Sequence, residues 1–257
     1  MKHLIRLICA ISAISSIQAQ GQLASHKAIE PVFIITLPKS GTNMLQKLLH
    51  LIYGIEPNSR CNSPYDHWNI QDFSLPIHSH PYSYFDRFIK ENNKKILLVR
   101  DIRDVFVSLY FHFESVNGVP SSNPNYPQLS KDEKIKFLIV TDEPYFGMKF
   151  YTDQVLKWSR HPETLVITLV IKFEDLVGLY GRGSIEAQTQ TIQTICNYLN
   201  IQRSEYQILY ISYRLFGNTS TFRKGQIGDW KNHLNQEHLE LIAKYYSDWM
   251  KELGYAL

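Results

Sequence analysis

Short apolar runs alternate along the chain with segments whose apolar residues recur at the helical period. The run Val32-Phe33-Ile34-Ile35 ends at Thr36 and opens a helix-period segment through Tyr53. Residues 95–99 precede a second such segment, through Phe113, and residues 165–173 lead into helices near 184–198 and 203–213. A last helix runs from about Gln236 to Leu253 and stops at Gly254. Strands alternating with helices in this way predict a mostly parallel sheet with helices on both faces, an α/β fold. Such a sheet takes its ligand at the carboxyl ends of its strands. No repeat, low-complexity block or long linker interrupts the pattern, so residues 30–257 are expected to form one domain. Residues 116–129, rich in Pro, Asn and Ser, predict a long surface loop, either a binding lid or a plain solvent loop.

The first strand ends in Thr36-Leu37-Pro38-Lys39-Ser40-Gly41-Thr42-Asn43. A tight loop between strand and helix brings backbone N–H groups, a helix N-terminus, a lysine and hydroxyls around one small volume, which suits a phosphate. The ATPase loop ends in Gly-Lys-Ser/Thr; here the lysine precedes the glycine, and the usual seat for magnesium is lost with that order. The expected site is a phosphate cradle without a metal. The absence of Gly-Lys-Ser/Thr also argues against a nucleoside kinase or GTPase.

Composition narrows the setting. The 257 residues are 44% hydrophobic and 20% charged, enough for a full core. A formal charge of +3 is too mild to argue for a nucleic-acid partner, and a local anion pocket accounts for it. Aromatic residues at 13% suit a large core or an aromatic-lined pocket. Lys2, His3 and Arg6 precede the apolar run from Leu7 to Ile14, and Ala19 can end a cleavage site, so residues 1–20 fit a secretory signal. This predicts an exported protein; the alternative is a disordered or loosely helical N-terminus on a cytoplasmic one. The apolar run is too short to predict a transmembrane span. Beyond it only Cys61 and Cys196 remain, which is neither a disulfide framework nor a clustered zinc site; Cys196 is expected in the core.

Two further groups of residues carry chemistry. Arg100 ends the second strand and Ser108 follows two turns into the next helix, a spacing that lets a guanidinium and a hydroxyl meet one phosphate. Late in the chain, Arg223-Lys224-Gly225 and Gly228-Asp229-Trp230-Lys231 put cations on a glycine-flexible turn.

Taken in order, these segments resemble the sulfotransferases that use 3′-phosphoadenosine 5′-phosphosulfate (PAPS). Pro38-Lys39-Ser40-Gly41-Thr42 resembles their 5′-phosphosulfate loop, and the stretch from Arg100 through Ser108 to Phe113 is similar to their 3′-phosphate motif. Arg223-Lys224-Gly225 with Gly228-Asp229-Trp230-Lys231 is similar to their late basic motif, and Phe173-Glu174-Asp175-Leu176 to their Tyr-Glu-Asp segment. The resemblance implies a P-loop-type three-layer fold and sulfuryl transfer to a hydroxyl or amine of a small molecule. It implies that Lys39 and the N–H groups of Ser40, Gly41, Thr42 and Asn43 hold the 5′-phosphate. Arg100, Ser108, Arg223, Lys224 and Gly225 would hold the 3′-phosphate. Met44, Phe173 and Tyr213 would flank adenine, with Ser212 touching it. The family's catalytic histidine falls at His80 of Ile77-His78-Ser79-His80-Pro81, so His80, Lys39 and Ser108 form the implied catalytic set. A histidine is suited to take the acceptor's proton near neutrality, and Lys39 to neutralise charge on the departing oxygen.

The chain departs from the family at three of these places. His78 stands where a second lysine is usual, Met44 replaces a tryptophan and Phe173 a tyrosine. Stacking on an aromatic face is worth about 1–3 kcal/mol, so weaker PAPS binding than in a typical member is expected. Tyr65, Trp68 and Phe73 are candidate walls of the acceptor pocket or ordinary core residues. The segment from Lys231 to Glu240 takes the place of a dimerisation motif with Asn235-Gln236 at its centre, which leaves a homodimer open. The competing reading is a nucleotide-binding member of the family without catalysis.

Overall fold

The computed structural model describes residues 32–54, 94–115, 123–141, 147–159, 168–219 and 222–256. Within them, strands β1 (Val32–Thr36), β2 (Lys94–Val99) and β3 (Thr168–Lys172) form a parallel sheet in the order β1-β2-β3. Ile34 pairs with Ile96, and Leu97 with Val170. The helices are α1 (Thr42–Tyr53), α2 (Ile102–Ser115), α3 (Lys131–Val140), α4 (Met148–Ser159), α5 (Ile185–Tyr198), α6 (Glu205–Leu215) and α7 (Gln236–Glu252).

The alternation of side chains along β2 sorts the core into two layers. Ile96 and Leu98 face a cluster with Leu45, Leu48 and Ile52 of α1, Ile192 and Ile195 of α5, and Ile208 and Ile211 of α6. Leu97 and Val99 face the other cluster, with Val105, Phe106 and Leu109 of α2, Ile135 and Leu138 of α3, and Ile242 and Trp249 of α7. At roughly 1.5–3 kcal/mol for each large apolar side chain buried, these two faces hold the central strand between helical layers. This is the α/β arrangement the alternating pattern predicts, and Cys196 is buried in the first cluster as expected.

Several helix starts supply their own caps. Ser130 with Glu133, Ser204 with Gln207, and Asn235 with His238 form reciprocal capping boxes for α3, α6 and α7. His238 is buried; its Nδ1 accepts the Asn235 N–H and its Nε2 meets the Asp132 carbonyl. Thus two residues of the 231–240 segment are committed to internal contacts. By contrast, α1 starts at Gly41 with no side-chain cap.

The structure corrects the expected elements in three places. The third strand ends at Lys172, and Phe173 opens a single helical turn, Phe173–Leu176. The helices α3 and α4 were not anticipated. Of the expected loop over 116–129, residues 116–122 lie outside the described residues; the rest is anchored by the turn Tyr126–Gln128, with Tyr126 buried against Phe113 and Phe137. No helix among the described residues is long and apolar enough to cross a membrane.

Candidate functional site

The loop after β1 closes on itself before α1 begins. Ser40 turns back, its N–H and Oγ both donating to the Leu37 carbonyl at 3.1 and 2.7 Å. Lys39 and Gly41 both adopt positive φ, 66° and 111°. A left-handed lysine costs on the order of 1 kcal/mol, so the surrounding contacts over-determine it. Gly41 has a second reason to lack a side chain: a Cβ there would lie 2.8 Å from Cδ2 of Phe173. The Thr36 and Thr42 hydroxyls share a 2.6 Å hydrogen bond that ties the strand end to the helix start.

Arg100, at the carboxyl end of β2, joins the segments together. Its Nη1 donates to the Lys39 carbonyl at 3.1 Å and its Nη2 to the Gln226 carbonyl at 3.2 Å, while the guanidinium lies 4.1 Å from the centre of the Phe173 ring. Two donor hydrogen bonds and one stacked face hold this buried guanidinium in place. Next to it, the Asp101 N–H donates to Glu174, whose other oxygen accepts from Tyr255 near the C-terminus.

The late turn is clamped to α2. Asp104 accepts the N–H groups of Gly228 and Trp230 at 2.8 and 2.9 Å. Between them, Asp229 pairs with Arg223 at 2.7 Å and Lys224 at 3.1 Å. Arg223 also lies over Phe111 of α2, 4.3 Å from the ring centre.

These segments enclose one cavity of about 270 Å³. Among the residues expected from sequence, Lys39, Gly41, Thr42, Asn43, Met44, Arg100, Ser108, Phe173, Arg223, Lys224 and Gly225 line it. Three do not. Ser40 is buried in its own turn, and Ser212 is buried within α6 with its hydroxyl on the Ile208 carbonyl. Tyr213 is 51% exposed and borders an adjoining hollow with Lys47, Tyr180 and Arg214, which shares Phe216 with the cavity. The apolar wall comes instead from Phe216 and Phe222, in edge contact at 5.1 Å, together with Val177. Sequence reasoning also passed over His112, which lines the cavity one helical turn after Ser108; the i, i+4 spacing was its signal.

The cavity is cationic and partly desolvated. Burial, then the charges of Arg100 and Arg223, lowers the Lys39 ammonium to about 8. Burial, then Lys39, lowers the His112 imidazolium from its ordinary value. Burial alone would raise Asp229, but the hydrogen bonds from Arg223 and Lys224 outweigh it and hold that carboxyl at about 2. The Nε groups of Arg100 and Arg223 are buried and have no hydrogen-bond partner among the described residues. Clustered cations and an uncapped helix start on one cavity fit a ligand carrying phosphates, and the phenylalanine wall fits a flat ring.

His78, His80, Tyr65, Trp68, Phe73, Cys61 and the expected signal over 1–20 lie outside the described residues.

Comparison with known proteins matches this arrangement. A sulfotransferase domain is recognised over residues 69–254. The chain is 27% identical over 254 residues to an amine sulfotransferase of Oryctolagus cuniculus, covering 87% of this chain and 81% of that protein. It is 26% identical over 270 residues to sulfotransferase 2A1 of Homo sapiens, covering 87% and 85%. Among solved structures, mouse sulfotransferase SULT7A1 complexed with PAP shares the fold at a TM-score of 0.57 and 19% identity, covering 86% of this chain and 84% of that one. A domain match over most of the chain, with relatives aligned over most of their length, identifies it: the chain belongs to the family of PAPS-dependent sulfotransferases.

Proposed function

We propose that the protein transfers the sulfuryl group of PAPS to a hydroxyl or amine of a small molecule, with His80 as general base and without a metal. The observation that carries this reading is the convergence of Lys39, Ser108, Arg223, Lys224 and Gly225, from segments far apart in sequence, on one cavity with an aromatic wall. Lys39 and the start of α1 would hold the 5′-phosphate. Ser108, Arg223, Lys224 and Gly225 would hold the 3′-phosphate, and Phe173, Phe216, Phe222 and Met44 the adenine.

Bound PAPS supplies an activated sulfuryl group on its 5′-phosphate. His80 takes the proton of the acceptor as the acceptor oxygen or nitrogen bonds to sulfur. Lys39 neutralises charge on the bridging oxygen as the old sulfur–oxygen bond breaks. Positioning and charge stabilisation dominate such a loose in-line transfer. The loop order, in which no Ser or Thr succeeds a Gly-Lys pair, supports metal independence. The acceptor class follows the relatives, whose names specify amines, hydroxysteroids and a flavonol.

Incubation with ³⁵S-labelled PAPS, excess chelator and a panel of amines, steroids, phenols and alcohols tests the reading. Labelled product in the presence of chelator is expected. Tight binding of 3′-phosphoadenosine 5′-phosphate (PAP) with no transfer to any panel member would favour a non-catalytic nucleotide binder instead.

A further inference from the structure

We infer that Asp229 is a positioning residue for the 3′-phosphate: its carboxylate fixes Arg223 and Lys224 in the arrangement in which both reach the ligand. This rests on the nucleotide reading above and goes beyond it, because Asp229 carries the same sign of charge as the ligand.

The two oxygens of Asp229 divide the two cations between them, Oδ2 taking Nη2 of Arg223 and Oδ1 taking Nζ of Lys224. Asn232 donates to Oδ1 at 3.4 Å, and Nε2 of His233 stands 3.5 Å from Oδ2. The side chain of Asp229 is 3% exposed. Its backbone neighbours, Gly228 and Trp230, are both anchored to Asp104, on the same helix as Ser108. The carboxylate is therefore fixed relative to another phosphate ligand. Arg223 is held at one edge by Asp229 and on one face by Phe111, which leaves its buried Nε without a hydrogen-bond partner among the described residues. One hydrogen bond to Asp229 accounts for only one of the three donors of the Lys224 ammonium.

Two effects of Asp229 on an incoming phosphate oppose each other. Bare Coulomb repulsion between the carboxylate and the phosphate weakens binding. Pre-ordering of two rotamer-rich side chains strengthens it, because their freedom is surrendered before the ligand arrives. The hydrogen bonds and burial around Asp229 favour the second. The sign of the effect of removing the charge decides between them.

The test is isothermal titration of the full chain and its Asp229→Asn and Asp229→Glu variants with PAP and with adenosine 5′-monophosphate, which lacks the 3′-phosphate. Asp229→Asn is expected to weaken PAP by about tenfold to a hundredfold, the scale of a charge-assisted hydrogen bond, while the monophosphate changes by less than about twofold. Asp229→Glu keeps the charge but moves it, and is expected to lose part of the same discrimination; it carries the test if the Asn variant does not melt cooperatively. Unchanged or tighter PAP binding in either folded variant overturns the inference. So does equal weakening of both nucleotides, which would mark a structural role. A wild-type chain that binds no PAP would instead overturn the nucleotide reading itself, and Asp229's role with it.

Discussion

Lys39 is left-handed, largely desolvated and set beside two other cations, a combination that costs free energy in the empty protein. An anion on the cavity relieves that cost, since it favours the charged lysine. With the free ammonium lowered to about 8, binding of PAP takes up a proton wherever the unliganded lysine is already neutral. The sign follows: affinity is level well below pH 8 and falls as pH rises through 8, by at most about tenfold per unit from this one group. Calorimetry at pH 8.5 in buffers of different ionisation heat is expected to show net proton uptake; release, or none, would contradict it. For His80 the expectation is a division between binding and turnover. His80→Ala is expected to lose at least about a hundredfold in turnover, the scale of general-base catalysis, with PAP affinity within about twofold of wild type. An active His80→Ala protein would move the base elsewhere, with His112, already on the cavity wall, and His78 the candidates.

At the scale of elements, the end of α6 decides which ring lines the cavity. The helix stops at Leu215, and Phe216 is extended, with φ −70° and ψ 137°, so the chain turns in toward the late basic loop. Tyr213, still on the helix, borders the adjoining hollow that Phe216 also lines. Gly225 allows the approach of the two phenylalanines, since a Cβ there would meet Phe222 at 2.7 Å and Phe216 at 3.2 Å. Motif order pointed to Tyr213 because it fixes where a ring falls in sequence but not where a helix ends. Phe216→Ala is therefore expected to weaken PAP by the worth of one stacking face, about 1–3 kcal/mol, whereas Tyr213→Ala leaves it within about twofold. The reverse pattern, read by titration, would restore the assignment that the resemblance implies. Asp104 makes a parallel case. It anchors the late turn through two backbone N–H groups, so Asp104→Ala is expected to lower stability by about 1–3 kcal/mol and to weaken PAP; an unchanged melting curve would contradict that.

For the molecule as a whole, the sheet and the end of it that carries the cavity were legible because apolar runs and helical periods alternate from Val32 to Tyr53 and from Lys95 to Phe113. The loop that brings Lys39, Gly41 and Thr42 to the cavity was legible from chemistry alone, since few arrangements of lysine, glycine and hydroxyls follow a strand so closely. Less was visible of α3, which opens on Lys131-Asp132-Glu133-Lys134 and shows little amphipathic contrast. Packing against α2 and α7 stabilises it more than its own pattern does. Arg100 shows a different limit. Its type and place suggested a phosphate ligand, but both Nη groups donate to backbone carbonyls, so it also fastens the Lys39 loop to the Gln226 turn. Such a role depends on contacts between residues 126 positions apart, which no local pattern announces.

The account depends on a single bisphosphorylated nucleotide spanning the cavity from the α1 N-terminus to the late turn. A crystal structure of the full chain with PAP tests this most directly. The expected result puts the 5′-phosphate against Lys39 and Thr42, the 3′-phosphate against Ser108, Arg223 and Lys224, and adenine beside Phe216. A nucleotide lodged elsewhere, or bound with its two phosphates exchanged, would contradict it.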